Sequence, residues 1–98
     1  MYGTIAIMRA LPGRRAELVE IIRRQFRTIE HVSGFVGHYV YLLDDPDCLA
    51  SSAVFDSKTS YMANAVSEEQ NQRYEEMRAL MREDPQWLDG EVESFLRF

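Results

Sequence analysis

The 98-residue sequence predicts an α+β fold: a ferredoxin-like βαββαβ split sheet with its helices on one face. Three features carry that expectation. Short, partly β-branched stretches recur at "GTIAIMRA", "FVGHYVYLL", "CLASSAVF" and "EVESFLRF". Between the first and second, and again between the third and fourth, the apolar period lengthens to the three-and-four spacing of a helix. The two middle stretches are joined by the turn-prone "DDPD", so they should form an antiparallel hairpin.

The first strand closes at Pro12-Gly13. From Arg14 to Val32 the residues Val19, Ile22, Phe26 and Ile29, with Leu18 beside them, make an amphipathic helical stripe. Glu20 and Arg24 can pair at i,i+4 on its outer face. Ser33-Gly34 ends the helix, with Gly34 suited to the left-handed position after the cap. After the hairpin, Asp56 or Ser57 caps a short helix through "KTSYMANAV". "SEEQ", Ser67 to Gln70, then has the form of a capping box. The helix it opens carries Tyr74, Met77, Leu80 and Met81 on one face and is closed by Asp84-Pro85. "DPQWLDGE" is read as the connector to a last strand, "EVESFLRF", in which Val92, Ser94 and Leu96 alternate with Glu93, Phe95 and Arg97.

Ile5 and Ile7 oppose Ala6 and Met8 across the first strand; Phe35, Tyr39 and Leu43 oppose Val36, Val40 and Leu42 across the second. A sheet with one wet face should alternate more cleanly. Its second face needs a cover, and with no element left over a second copy of the chain is the economical one.

A single domain over 1–98 is expected from the length. The formal charge of −5, from 11 basic and 16 acidic residues, argues against a nucleic-acid partner. The arginines of the first helix form the one local basic cluster and read as a solvated face. Cys48 is the only cysteine, which excludes an intrachain disulfide and fits a reducing compartment. No stretch has the pattern of a signal peptide or the length of a membrane span, so a cytoplasmic protein without membrane contact is expected. His31 and His38 do not fall on a metal-ligand spacing, and no metal is expected. There is no phosphate loop, "GxSxG" or "HExxH". The single tryptophan, Trp87, is expected to fold back towards Tyr74 and Met77. It would serve there as a structural plug, a pocket wall or a subunit contact.

Taken in order, "YGTIAIMRALPGRRAELVEI", "SGFVGHYVYLLDDPD", "VFDSKTSYMANAVSEEQNQRY" and "DPQWLDGE" resemble the antibiotic-biosynthesis-monooxygenase-like family of dimeric α/β barrels. The resemblance runs the whole length of the chain. It implies a homodimer with two sheets face to face, and, in active members, oxygen chemistry on electron-rich aromatic substrates without metal, flavin or haem. In the actinorhodin-pathway type an asparagine on strand three, a tryptophan at its end and a tyrosine in the next helix surround the substrate. Ser51, Phe55 and Tyr61 stand there, so only the tyrosine is kept. The haem-degrading branch would need its residues at Ala6, Asn64 and Tyr74, and none is kept. Many quinol-oxidising relatives have a histidine near the place of Asn64.

The candidate catalytic residues are therefore Tyr61, Asn64 and His38, with Tyr41, Tyr74, Trp87 and Phe55 as candidate pocket walls. His38 is included because imidazole titrates near working pH, Asn64 because it could donate to a ligand carbonyl, and the tyrosines as oriented hydroxyls in apolar walls. The leading function is a cofactor-independent monooxygenase-like protein for a small aromatic or quinone-type molecule. A non-catalytic homodimeric small-molecule-binding or stress-related module is the alternative. An isomerase or decarboxylase on the same scaffold is a third.

Overall fold

The structure is a computed structural model that describes every residue except Glu30, Phe95, Arg97 and Phe98. Its elements run β1 (Tyr2–Arg9), α1 (Arg15–Ile29), β2 (Phe35–Leu42), β3 (Cys48–Phe55), α2 (Lys58–Ala65), α3 (Glu68–Arg78) and β4 (Gln86–Glu91). The sheet order is β2-β3-β1-β4, with every neighbouring pair antiparallel. Strands β1 and β2 thus point the same way with β3 between them, and the 15 residues of α1 supply the crossover such a pair needs. This is the ferredoxin-like split sheet that the pattern of periods predicts.

Three elements differ from expectation by more than one residue. The last strand is Gln86–Glu91, so "QWLDGE" is strand, not connector. Pairing explains it: Gln86 to Glu91 lie opposite Ile7 to Tyr2 along the free edge of β1. Val92 still donates its N–H to the Met1 carbonyl at 2.9 Å, but Val92, Glu93, Ser94 and Leu96 are not strand. The expected positions Phe95 and Arg97 lie outside the described residues. Helix α3 stops at Arg78, six residues before Asp84. The end of β1 takes the chain away from it: Leu11 donates to the Leu80 carbonyl, Arg82 donates to the Arg9 carbonyl, and Ala10 bridges Met81. Helix α1 ends at Ile29, and Gly34 serves instead in the turn that leads into β2.

Both short-helix caps form. Ser57 accepts from the Ser60 N–H and Ser67 from the Gln70 N–H, each at 3.1 Å. The reciprocal half of the capping box is replaced, because the Ser67 N–H donates to the Asn64 carbonyl. Glu20 pairs with Arg23 rather than Arg24, which reaches across to Glu76 of α3.

The inward face of β1 carries Thr4, Ala6, Met8 and Ala10, all buried. Met8 and Ala10 belong to a core with Leu49 of β3, Leu18, Val19 and Ile22 of α1, and Met77, Leu80 and Met81 at the end of α3. That core fills one end of the layer between sheet and helices. The other end is covered by α2, none of whose residues is fully buried, and by the polar start of α3. Side chains such as Asn64, Ala65 and Asn71 are too short or too polar to fill the layer, and a hollow remains beneath them.

The outer face of the sheet is apolar as well. Ile5, Tyr39, Tyr41 and Leu88 are all exposed there, so the mixed character of the strands reflects a second, uncovered apolar surface.

Gly34 holds the turn between α1 and β2 at φ +83°, and its carbonyl accepts the Asp56 N–H at 2.7 Å. A Cβ there would stand 2.5 Å from the Ser60 side chain and 2.7 Å from Asp56 Oδ1. Gly34→Ala therefore meets both a left-handed backbone penalty and overpacking, and we expect it to destabilise the fold by about 1–3 kcal/mol in urea titration. An unchanged midpoint would refute this role for the turn.

Candidate functional site

The hollow is a cavity of about 500 Å³. Such a volume falls within the roughly 300–1,000 Å³ of small-molecule sites. Its floor is the inward face of the sheet: Thr4, Ala6 and Met8 of β1, Ser51, Ala53 and Phe55 of β3, and Trp87 and Asp89 of β4. Phe26 and Ile29 of α1 form one side; Tyr61, Asn64 and Ala65 of α2 and Arg73, Tyr74 and Met77 of α3 roof it.

Of the seven residues singled out in the sequence, five stand on this cavity: Phe55, Tyr61, Asn64, Tyr74 and Trp87. Phe55 is almost fully buried, and its ring meets Tyr61 edge-on at 5.8 Å. Trp87 approaches Tyr74 with ring centroids 6.0 Å apart. It does so from β4 and remains 45% exposed, which fits the expected cavity wall and not the expected buried plug.

His38 and Tyr41 do not reach the cavity. Tyr41 is opposite Ala50 on the outer face of the sheet, 60% exposed, with its ring edge-on to Tyr39. One residue of alternation separates the two faces, and Tyr41 falls on the wrong side. His38 faces the helices but sits on the edge strand, stacked on Phe26 with centroids 3.6 Å apart and planes 4° from parallel. Loss of hydration against that ring lowers its pKa. It supports a cavity wall from behind.

Besides Ser51 on the floor and Asn71 at the roof, polar groups meet the cavity in two hydrogen-bonded clusters. On the sheet side, Thr4 Oγ1 donates to Asp89 Oδ1 at 2.6 Å and the Tyr61 hydroxyl donates to the same oxygen at 3.2 Å. Strand pairing builds this cluster, because Thr4 and Asp89 are register partners. Burial raises the pKa of Tyr61, opposed by the polar Thr4 hydroxyl beside it and reinforced by the charge of Asp89. On the helix side, Arg73 donates to Gln70 Oε1 at 3.1 Å and to Asn64 Oδ1 at 3.2 Å. Gln25 of α1 donates to the Arg73 carbonyl at 3.0 Å and to Glu76 at 2.9 Å, tying the roof to the side wall. Among the described residues no three His, Cys, Asp or Glu side chains gather as metal ligands.

Asp89, Thr4, Arg73 and Gln25 were not picked out from sequence. Asp89 reads as half of an Asp-Gly turn, and its placement follows only once Trp87, Asp89 and Glu91 are seen to alternate along one face of β4. Gln25 occupies a core position of the α1 stripe, spaced three from Ile22 and four from Ile29; a polar residue there was the available signal.

Residues 1–76 match the family model described as antibiotic biosynthesis monooxygenase. No curated protein matches the chain at a significant level. Among solved structures, the chain is similar to a candidate antibiotic biosynthesis monooxygenase from Chloroflexus aurantiacus J-10-fl, with TM-score 0.78 and 24% identity over 98% of this chain and 96% of that one. A second, from Nitrosomonas europaea, gives TM-score 0.82 at 14% identity over 96% of this chain and 100% of that one. A mutant form of SnoaB, a cofactor-independent oxygenase from Streptomyces nogalater, gives TM-score 0.79 at 17% identity over 97% and 96%. At such identities these structures speak for the fold. No helix among the described residues is long and apolar enough to cross a membrane.

The raised pKa of Tyr61 has a signed consequence. Above the ordinary tyrosine value of 10.0 the unfolded chain loses this proton while the folded one keeps it. The folded state then binds more protons, so the stability contributed by the neutral phenol is full below that value and is lost as pH rises through the folded pKa. Absorbance titration should show one late-ionising tyrosine that Tyr61→Phe removes; an unchanged curve in the variant would contradict the assignment.

Proposed function

Because this chain belongs to the antibiotic biosynthesis monooxygenase family, we propose that it is a homodimeric, cofactor-independent oxygenase for a small electron-rich aromatic of quinol type. The observation that supports this most is the cavity itself: about 500 Å³, walled by Phe55, Tyr74 and Trp87, with its hydrogen-bonded polar groups gathered in two clusters. Aromatic walls accept a flat ring on its faces, and the few polar groups orient its oxygens.

In this reading the substrate supplies the electrons. Once one of its oxygens has given up a proton to solvent, the ring is rich enough to reduce dioxygen directly. The protein binds the ring, removes water from it and stabilises the anion. The cationic donor placed to do so is Arg73, held by Gln70 and Asn64. Asn64 acts on it as a positioning residue. Donors fixed before the reaction stabilise developing charge without reorganising, which is why they count for more here than in water.

The homodimer rests on the outer face of the sheet. Ile5, Tyr39, Tyr41 and Leu88 form an exposed apolar surface of the kind that marks an interface. A second copy covers it and leaves both cavities, on the opposite faces, open to substrate.

The second reading is a binder without turnover. It draws on Ser51 and Phe55, which line the cavity at the places where the actinorhodin-pathway type carries asparagine and tryptophan.

Oxygen uptake with a panel of hydroquinones and anthrones separates the two. We expect uptake above background, unaffected by chelators. Arg73→Ala, checked for intact fold, should lower kcat by roughly 100-fold or more, the usual loss when one preorganised donor is removed. Saturable binding with no uptake would establish the second reading instead. For the dimer, light scattering should give twice the chain mass, and Ile5→Asp should give a folded monomer; a monomeric wild type at micromolar concentration would rule the dimer out.

A further inference from the structure

We propose that Asp89 is the specificity-determining residue of the cavity: with Thr4 and Tyr61 it makes the β1–β4 side of the sheet wall, away from the Ser51 hydroxyl on β3, a hydrogen-bond acceptor only, so the site takes the reduced, hydroxyl-bearing form of an aromatic and turns away the quinone. The inference rests on the reading of the cavity as an aromatic-binding site and goes on to say which oxidation state it holds.

Both protons of the Thr4–Tyr61–Asp89 cluster are already committed. Thr4 Oγ1 carries one, and at 2.6 Å it goes to Asp89 Oδ1. The Tyr61 hydroxyl carries one, and it goes to the same oxygen at 3.2 Å. Tyr61 keeps that proton at neutral pH, since burial and the charge of Asp89 hold its pKa up. An ionised carboxylate has none to give. Thr4, Tyr61 and Asp89 all line the cavity, and what they have left to offer a ligand is lone pairs and a negative charge.

A quinone presents only carbonyl oxygens, which also only accept. Against this wall it sets lone pair against lone pair and strips water from a carboxylate without replacing its hydrogen bonds, a full desolvation cost. A quinol donates instead. Its hydroxyl gives the carboxylate a charge-assisted hydrogen bond, among the stronger kinds. The donor of the roof, Arg73, stands on α3 rather than on the sheet, so a carbonyl can be satisfied there. The oxygen at the Asp89 wall must bring its own proton. The same rule favours turnover in one direction: a product that has lost its hydroxyl proton loses its contact with the wall.

The test is anaerobic titration calorimetry with a matched pair, duroquinone and its quinol, whose ring carbons are all substituted and so do not add the thiol of Cys48. The wild-type protein should bind the quinol at least about tenfold more tightly than the quinone, the usual scale of a hydrogen bond to a charged group. The dimethyl ether of the quinol, which has the shape but no donor, should bind as weakly as the quinone. Asp89→Asn can turn an amide N–H₂ towards the ligand, and should bring the ratio close to one. Equal wild-type affinities, with oxygen uptake intact, would overturn the role of Asp89 and leave the oxygenase reading standing. An unchanged ratio in Asp89→Asn would do the same. Binding of none of the three compounds would bring down both. If Asp89→Asn does not fold, the wild-type ratio and the ether decide.

Discussion

The register of β1 between its two neighbours is the constraint on which the site depends. β1 is paired to β3 along its whole length and to β4 from Tyr2 to Ile7. Strand side chains alternate, so a slip of one residue would exchange every inward group for an outward one. Ile5 and Ile7 would then enter the layer and fill the hollow, while Thr4 would leave Asp89. As it stands, the inward series Thr4, Ala6, Met8, Ala10 grades from polar floor to packed core. Ala6 matters by being small. It stands opposite Trp87, and its short side chain leaves the room that the indole borders.

The two ends of the helical layer are held by different forces. Around Met8, Leu49, Ile22 and Met81 the layer is closed by apolar burial, worth about 25 cal/mol per Å² removed from water. Over the cavity the helices are tied by hydrogen bonds among Gln25, Asn64, Gln70, Arg73 and Glu76. Such bonds contribute about 1 kcal/mol each, net of what water would give. Segments with little buried apolar surface open at lower cost than the core, and α2 has no fully buried residue. The roof of the cavity is thus the part of the layer least fixed by packing.

Much of the fold was legible because it is written in periods. The strand β3 was bounded to the residue, the hairpin was marked by "DDPD", and the caps at Ser57 and Ser67 were marked by side-chain chemistry. The errors came where pairing overrode a local signal. Asp84-Pro85 reads as a helix stop, yet the bonds from Leu11 and Arg82 to the ends of α3 and β1 end the helix earlier. Asp89-Gly90 reads as a turn, yet the free edge of β1 draws it into a strand. The site was half legible for the same reason. Phe55, Tyr61, Asn64 and Tyr74 follow from the family resemblance and from residue chemistry, but Tyr41 needs the sheet face and Asp89 needs the register, neither of which a single segment encodes. Gln25 was overlooked because the stripe around it was apolar enough to account for the helix.

β4 joins the two faces of the sheet more directly than any other strand. It is short and charged at Asp89 and Glu91, as edge strands that avoid further pairing commonly are. Leu88 faces outward to the apolar surface, while its neighbours Trp87 and Asp89 face the cavity. Among the described residues only β1 pairs with it, and all six of its residues are exposed. A body seated on Leu88 and Ile5 would therefore bear on the backbone that carries the indole and the carboxylate. Alternate residues of this six-residue strand thus serve the outer apolar surface and the wall of the cavity, and the backbone between them couples the two.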